Sequence, residues 1–159
     1  MHVAVEVVSG HSAQRVWERI AAFGDIADWH PLIAASRLRA GDDHVAPGCV
    51  RELATGDGQT LTERLVVLDA SEMHLVYEFV DHPFPVTGYQ ASMRVIASPE
   101  PDHGCLVRWS AEFEPTAGDG RGDQDFFAEK VFAPGLLALE DALSRPLTPT
   151  GDATSGGDR

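Results

Sequence analysis

Residues 60–69 read Thr60-Leu61-Thr62-Glu63-Arg64-Leu65-Val66-Val67-Leu68-Asp69. Successive side chains of a strand point to opposite faces. The run therefore presents Leu61, Glu63, Leu65 and Val67 on one face and Thr62, Arg64 and Val66 on the other. The first face is apolar except for Glu63, and a buried carboxylate is costly unless it is paired or protonated. Upstream, residues 49–54 offer two faces, one with Cys49, Arg51 and Leu53 and one with Val50, Glu52 and Ala54. If the first face is inward, Arg51 meets Glu63 inside a sheet. Gly56-Asp57-Gly58 between the two runs is a turn signal.

Working outward, the same period of two extends over residues 32–113. Strands are expected at 33–39, 49–54, 60–69, 73–80, 88–97 and 105–114, with an earlier one at 3–8. The short turns between them favour antiparallel hairpins. Their inward faces read Met73, Leu75, Tyr77 and Phe79; Tyr89, Ala91, Met93 and Val95; Cys105, Val107, Trp109, Ala111 and Phe113. Two segments have helical spacing instead. Ser12 caps a helix running to about residue 23, with Ala13, Val16, Trp17, Ile20 and Phe23 on one stripe. Gly24 stops it, and 25–29 form a further turn closed by His30-Pro31. Asp123 caps a long helix to about Leu143, with a kink expected at Pro134. Its face of Phe127, Lys130, Val131 and Leu137 is expected to close a cavity. The simplest burial of everything is an α+β domain over 1–143, a curved seven-stranded antiparallel sheet wrapped around the long C-terminal helix, with two short helices after the first strand. Residues 144–159 are mostly Pro, Thr, Gly, Ser and Asp, with two Arg, one Ala and one Leu, and are expected to be a disordered tail.

At 159 residues the chain is one domain by length, large enough to need no metal or disulfide staple. Twenty-five acids against twelve Lys plus Arg give a net charge of −13. Such a surface repels nucleic-acid phosphates and anionic membranes. No apolar run approaches the ~20 residues of a spanning helix. Cys49 and Cys105 read as reduced buried thiols, and with no secretory leader pattern at the N-terminus the expected location is the cytoplasm. The seven histidines show no metal-ligand spacing, so no metal and no cofactor is expected. Gly118 to Asp123 lacks the Lys of a phosphate loop and is read as a flexible loop. His30 and His82, each before a proline, are candidate proton shuttles at a pocket mouth, or plain capping residues.

Three stretches carry a family resemblance. Phe23-Gly24-Asp25-Ile26-Ala27-Asp28-Trp29-His30-Pro31 resembles the Phe…Trp-His-Pro turn of the START/Bet v 1-like helix-grip superfamily. Pro47-Gly48-Cys49-Val50-Arg51-Glu52-Leu53 followed by Leu61-Thr62-Glu63-Arg64-Leu65 resembles its Gly-x-x-Arg…Glu-x-Leu hairpin. Tyr89 and the strand from Trp109 to Phe113 are similar to its later part. Within the superfamily, the layout looks like the polyketide cyclase/dehydrase and lipid-transport branch. The resemblance implies the helix-grip fold and a deep cavity into which Arg51, Glu63 and Tyr89 project. The plant abscisic-acid receptors share the hairpin. Their cavity lysine aligns here with Ala34, and their gate is replaced by Thr55-Gly56-Asp57-Gly58, so hormone reception is not implied.

Two functions from different classes follow. One is an enzyme that cyclises and dehydrates a hydrophobic polyketide-like substrate. In it Glu63 is the acid/base and Arg51 and Tyr89 hold the oxyanion. Trp29, Tyr77, Phe79, Met93, Trp109, Phe113, Phe127, Lys130 and Val131 line the ligand site. The other is a non-catalytic binder or carrier, in which Arg51 and Glu63 only orient the polar or anionic end of a mostly apolar molecule. The plain structural alternative is an ion pair at the sheet rim, core aromatics, and a snorkelling Lys130. A protein-interaction module is a third, weaker reading. The expected partner is a small hydrophobic ligand, and the protein is expected to be a monomer or homodimer.

Overall fold

The computed structural model describes residues 1–100 and 103–145. The part of the expected tail beyond Arg145 lies outside these residues. Strand β1 (His2–Ser9) is followed by helix α1 (Ala13–Ala21) and a 3-10 helix, Phe23–Asp28. Ser12 caps α1 by accepting from the Arg15 N–H at 3.2 Å. The helix ends at Ala21, two residues before the expected stop, and Gly24 sits inside the tighter helix that follows. Six strands come next: β2 (Ile33–Leu38), β3 (Val50–Thr55), β4 (Thr60–Asp69), β5 (His74–Asp81), β6 (Val86–Ala97) and β7 (Cys105–Pro115).

All seven strands pair antiparallel in one sheet, in the order β1-β7-β6-β5-β4-β3-β2. Register shifts interrupt the β2–β3, β4–β5 and β6–β7 ladders. Each extra residue bends its strand, and together they curl the sheet. The shift between Leu65 and Val67 changes one reading of the sequence. Val66 and Val67 are both left largely in solvent, 37% and 38% exposed, and Leu68 packs on the core instead. Val67 therefore does not flank Glu63, because the bulge breaks the two-residue period there.

The concave face is covered by the C-terminal helix, residues 121–144. It opens as α2 (Arg121–Phe126), widens into π-helical turns at Phe127–Phe132, and continues as α3 (Ala133–Ser144). The break in regularity anticipated at Pro134 lies in the turns just before it. The wide turns also shift the helical phase, so Leu137 points to solvent, 62% exposed, and Leu136, Leu139 and Leu143 face the core. Leu137 is thus not part of the face that closes the cavity. Two glycines mark close approaches. Gly104, at φ +78, would put a Cβ 1.9 Å from the Ser9 carbonyl oxygen. Gly135 lets the helix pass over the sheet, where a Cβ would lie 2.7 Å from two His30 ring atoms and 2.9 Å from Trp109.

Candidate functional site

Between sheet and helix lies a cavity of about 550 Å³. Its deep wall is built from alternate residues of adjacent strands. Arg51 pairs in register with Glu63 across β3–β4, Glu63 with Phe79 across β4–β5, and Leu65 with Tyr77. Arg51 and Glu63 are both 4% exposed. Two arginine nitrogens, Nε and Nη2, lie 2.7 Å from the same carboxylate oxygen, Oε1. Nη1 donates to the Phe23 carbonyl at 3.0 Å. The guanidinium carbon sits 3.9 Å from the Phe23 ring centre and 4.8 Å from that of Tyr77, a cation–π environment in place of water. The second oxygen of Glu63, Oε2, accepts no hydrogen bond among the described residues. Burial pushes the Glu63 pKa up, and the charge and hydrogen bond of Arg51 oppose this.

Beside the pair stand two phenols. Trp109 Nε1 donates to the Tyr77 hydroxyl at 3.1 Å. The Tyr89 ring stacks on Phe79 with centres 3.8 Å apart. Burial raises the pKa of both tyrosines, and the nearby Glu63 charge adds to it. Both phenols stay protonated at neutral pH.

His30 joins the sheet side to the helix. Its Nε2 lies 2.9 Å from the Val131 carbonyl oxygen, and its Nδ1 3.2 Å from the Leu32 N–H. A carbonyl only accepts and an N–H only donates, so Nε2 carries the proton and the ring is neutral. Burial lowers its pKa from 6.5 to about 4. The folded protein thus holds His30 neutral where the unfolded chain protonates it. Stability is full above about pH 6.5 and is lost as the pH falls toward 4. Between pH 7.5 and 5 the wild type is expected to lose about 2 kcal/mol more than His30→Gln, which does not titrate. Urea unfolding of both proteins at the two pH values measures this, and parallel losses would contradict it.

Of the residues singled out in the sequence, Arg51, Glu63, Tyr77, Phe79, Tyr89, Trp109, Phe127, Lys130, Val131 and His30 line the cavity. Four do not. Trp29 packs behind the wall, 5.9 Å from Trp109 between ring centres. Met93 is buried opposite Trp109 in the β6–β7 pair. Phe113 supports Phe127 at 5.3 Å. His82 stacks on Phe79 at 4.4 Å and is not among the lining residues. Strand periodicity does not mark the rim, which comes from Pro31 and Leu32, the β3–β4 turn around Asp57, Phe84 and Phe126. Leu32 and the turn are joined by the Gly56 N–H, which donates to the Leu32 carbonyl at 3.2 Å. Leu53 and Leu61, on the inward faces already read, complete the wall.

Among the described residues no group of three or more His, Cys, Asp or Glu side chains is placed to hold a metal ion. No helix there is long and apolar enough to cross a membrane.

A family model described as polyketide cyclase / dehydrase and lipid transport matches residues 1–144. The MLP-like protein 423 of Arabidopsis thaliana is 30% identical over 126 residues, covering 74% of this chain and 77% of that protein. Among solved structures, an uncharacterised Bacillus thuringiensis protein superposes with a TM-score of 0.79 at 32% identity, over 91% of this chain and all of the other. A Thermobifida fusca protein solved by NMR does so with a TM-score of 0.79 at 35% identity, over 91% and 93%.

Proposed function

The chain belongs to the polyketide cyclase / dehydrase and lipid transport family, and on that premise we propose that it takes a small, mostly apolar molecule into the cavity between sheet and C-terminal helix. The observation that carries this reading is the cavity itself. It is about 550 Å³ in volume, walled by Leu53, Leu61, Phe79, Trp109 and Phe127, with a few buried polar groups converging at one end. Such an enclosure, apolar with a small number of orienting polar atoms, suits a ring-bearing ligand. The exposed rim residues Pro31, Leu32 and Phe126 give that ligand an apolar way in. The test is titration with N-phenyl-1-naphthylamine, a neutral fluorescent molecule, against ATP as competitor. One saturable site that ATP leaves untouched is expected. Saturable ATP binding with no uptake of the naphthylamine would overturn the reading.

Catalysis on the bound molecule is a second reading, favoured by the state of Glu63. Arg51 engages only one of its oxygens, and burial raises its pKa toward the range where a carboxyl can both take and give a proton. Cyclisation with dehydration needs a proton moved alpha to a carbonyl, with donors such as Tyr89 near the enolate oxygen. Under this reading Glu63→Gln abolishes turnover of the substrate and leaves its affinity within a few fold. Turnover that survives the substitution would remove Glu63 from the reaction.

A further inference from the structure

The deep end of the cavity has a definite electrostatic character. Its one buried cation among the described residues, Arg51, is already answered: two of its nitrogens lie on Glu63 Oε1 at 2.7 Å and a third is on the Phe23 carbonyl. His30 is neutral, and Lys130 stands exposed at the rim. What the deep end offers a guest is the second oxygen of Glu63 and the hydroxyl of Tyr89. Both residues are 4% exposed and both line the cavity. No hydrogen bond from a described residue reaches Glu63 Oε2. The Tyr89 hydroxyl has the Tyr77 hydroxyl as its hydrogen-bonding neighbour among those residues. Tyr77 already accepts from Trp109 Nε1, so its own proton can turn to the Tyr89 oxygen and leave the Tyr89 proton for a guest. One buried acceptor and one buried donor are therefore left to a guest, in a region of low dielectric where unpaired polar atoms are costly.

We propose, on the cavity-binding reading above, that the buried end of the ligand is a neutral hydroxyl on an apolar body, donating to Glu63 Oε2 and accepting from the Tyr89 hydroxyl. A hydroxyl has one proton to give and lone pairs to receive with, which matches that donor and acceptor. A carboxylate has only acceptor oxygens. It would set a second negative charge beside Glu63, where Arg51 is already engaged and little water screens the repulsion. The anionic end anticipated near Arg51 is thus excluded from the deep site, and the polar end remains. A hydrocarbon fits the walls and leaves both polar atoms unpaired.

Three ligands on one skeleton separate these cases: naphthalene, 2-naphthol and 2-naphthoate, each titrated at pH 7 into the full chain by displacement of N-phenyl-1-naphthylamine. The expected order is 2-naphthol tightest, about tenfold over naphthalene, with 2-naphthoate weakest. Tyr89→Phe keeps the stacked ring and removes the hydroxyl, and it should bring 2-naphthol down to the affinity of naphthalene while leaving naphthalene unchanged. Glu63→Gln, if the variant folds, should raise the affinity for 2-naphthoate about tenfold by removing the like charge. The proposal is overturned if 2-naphthoate binds as tightly as 2-naphthol, or if the advantage of 2-naphthol is absent or survives Tyr89→Phe. It is also overturned, with the cavity reading intact, if none of the three displaces a bound naphthylamine. If the naphthylamine itself does not bind, the cavity reading falls and this proposal with it.

Discussion

Arg51→Met is expected to destabilise the protein by about 3–5 kcal/mol at pH 7, and the double variant Arg51→Met/Glu63→Leu to recover most of that loss. The reason is the burial of the pair. Each residue is 4% exposed, and the two are in contact at 2.7 Å. Removing the cation leaves a carboxylate on an apolar wall with nothing to offset its lost hydration. Removing both leaves two hydrophobic side chains that fit the same wall. The single variant should also acquire a pH dependence of known sign. With Arg51 gone, only the burial that raises the Glu63 pKa remains. A carboxyl whose folded pKa lies above its unfolded value binds a proton more tightly when folded. The variant should therefore be most stable below the unfolded pKa near 4.5 and lose stability as the pH rises through the folded one. Urea unfolding of the wild type, both single variants and the double variant at pH 5 and 7 forms a complete cycle. Additive losses would show that the two charges do not interact.

Phe127→Ala is expected to cost about 3–5 kcal/mol, or roughly 10–15 °C in melting temperature. Phe127 is 2% exposed, and its ring lies 4.9 Å from Tyr89 and 5.3 Å from Phe113 between centres. It stands in the first π-helical turn, so it is one of the contacts that hold the irregular part of the helix against the sheet. Truncation joins its volume to the existing cavity. Added naphthalene should therefore raise the melting temperature of the variant more than that of the wild type, since an apolar guest restores lost contacts. A loss of a degree or less would mean that the helix is held from elsewhere.

The strand faces were legible because alternation is a local property. Glu63, Tyr77, Tyr89 and Trp109 could be put on inward faces from the sequence, and the register brings them to one wall. Alternation left the face of Arg51 open, and its pairing with Glu63 across β3–β4 decided it. The same rule failed at Val67, where a bulge inserts a residue, and at Leu137, where the π-helical turns shift the phase. Both irregularities answer to packing across the sheet and against the helix, which no local period encodes. The order of elements, the antiparallel hairpins between successive strands, the N-cap at Ser12 and the long closing helix follow from the amino-acid sequence alone, because each rests on short-range pattern. The pairing of β1 with β7 joins residues some hundred positions apart and is set by the closed fold.

Tertiary structure alone decided three things. It set which Glu63 oxygen Arg51 occupies, because that depends on the approach of two side chains twelve residues apart. It set the protonation of His30, because the deciding acceptor, the Val131 carbonyl, is 101 residues away and is met only when the helix docks. And it set the rim, because Leu32, Asp57, Phe84 and Phe126 come from turns and a helix end that carry no common period. Periodicity reports which side of an element is buried. Which atom meets which partner is fixed only when the elements close on one another at van der Waals distance.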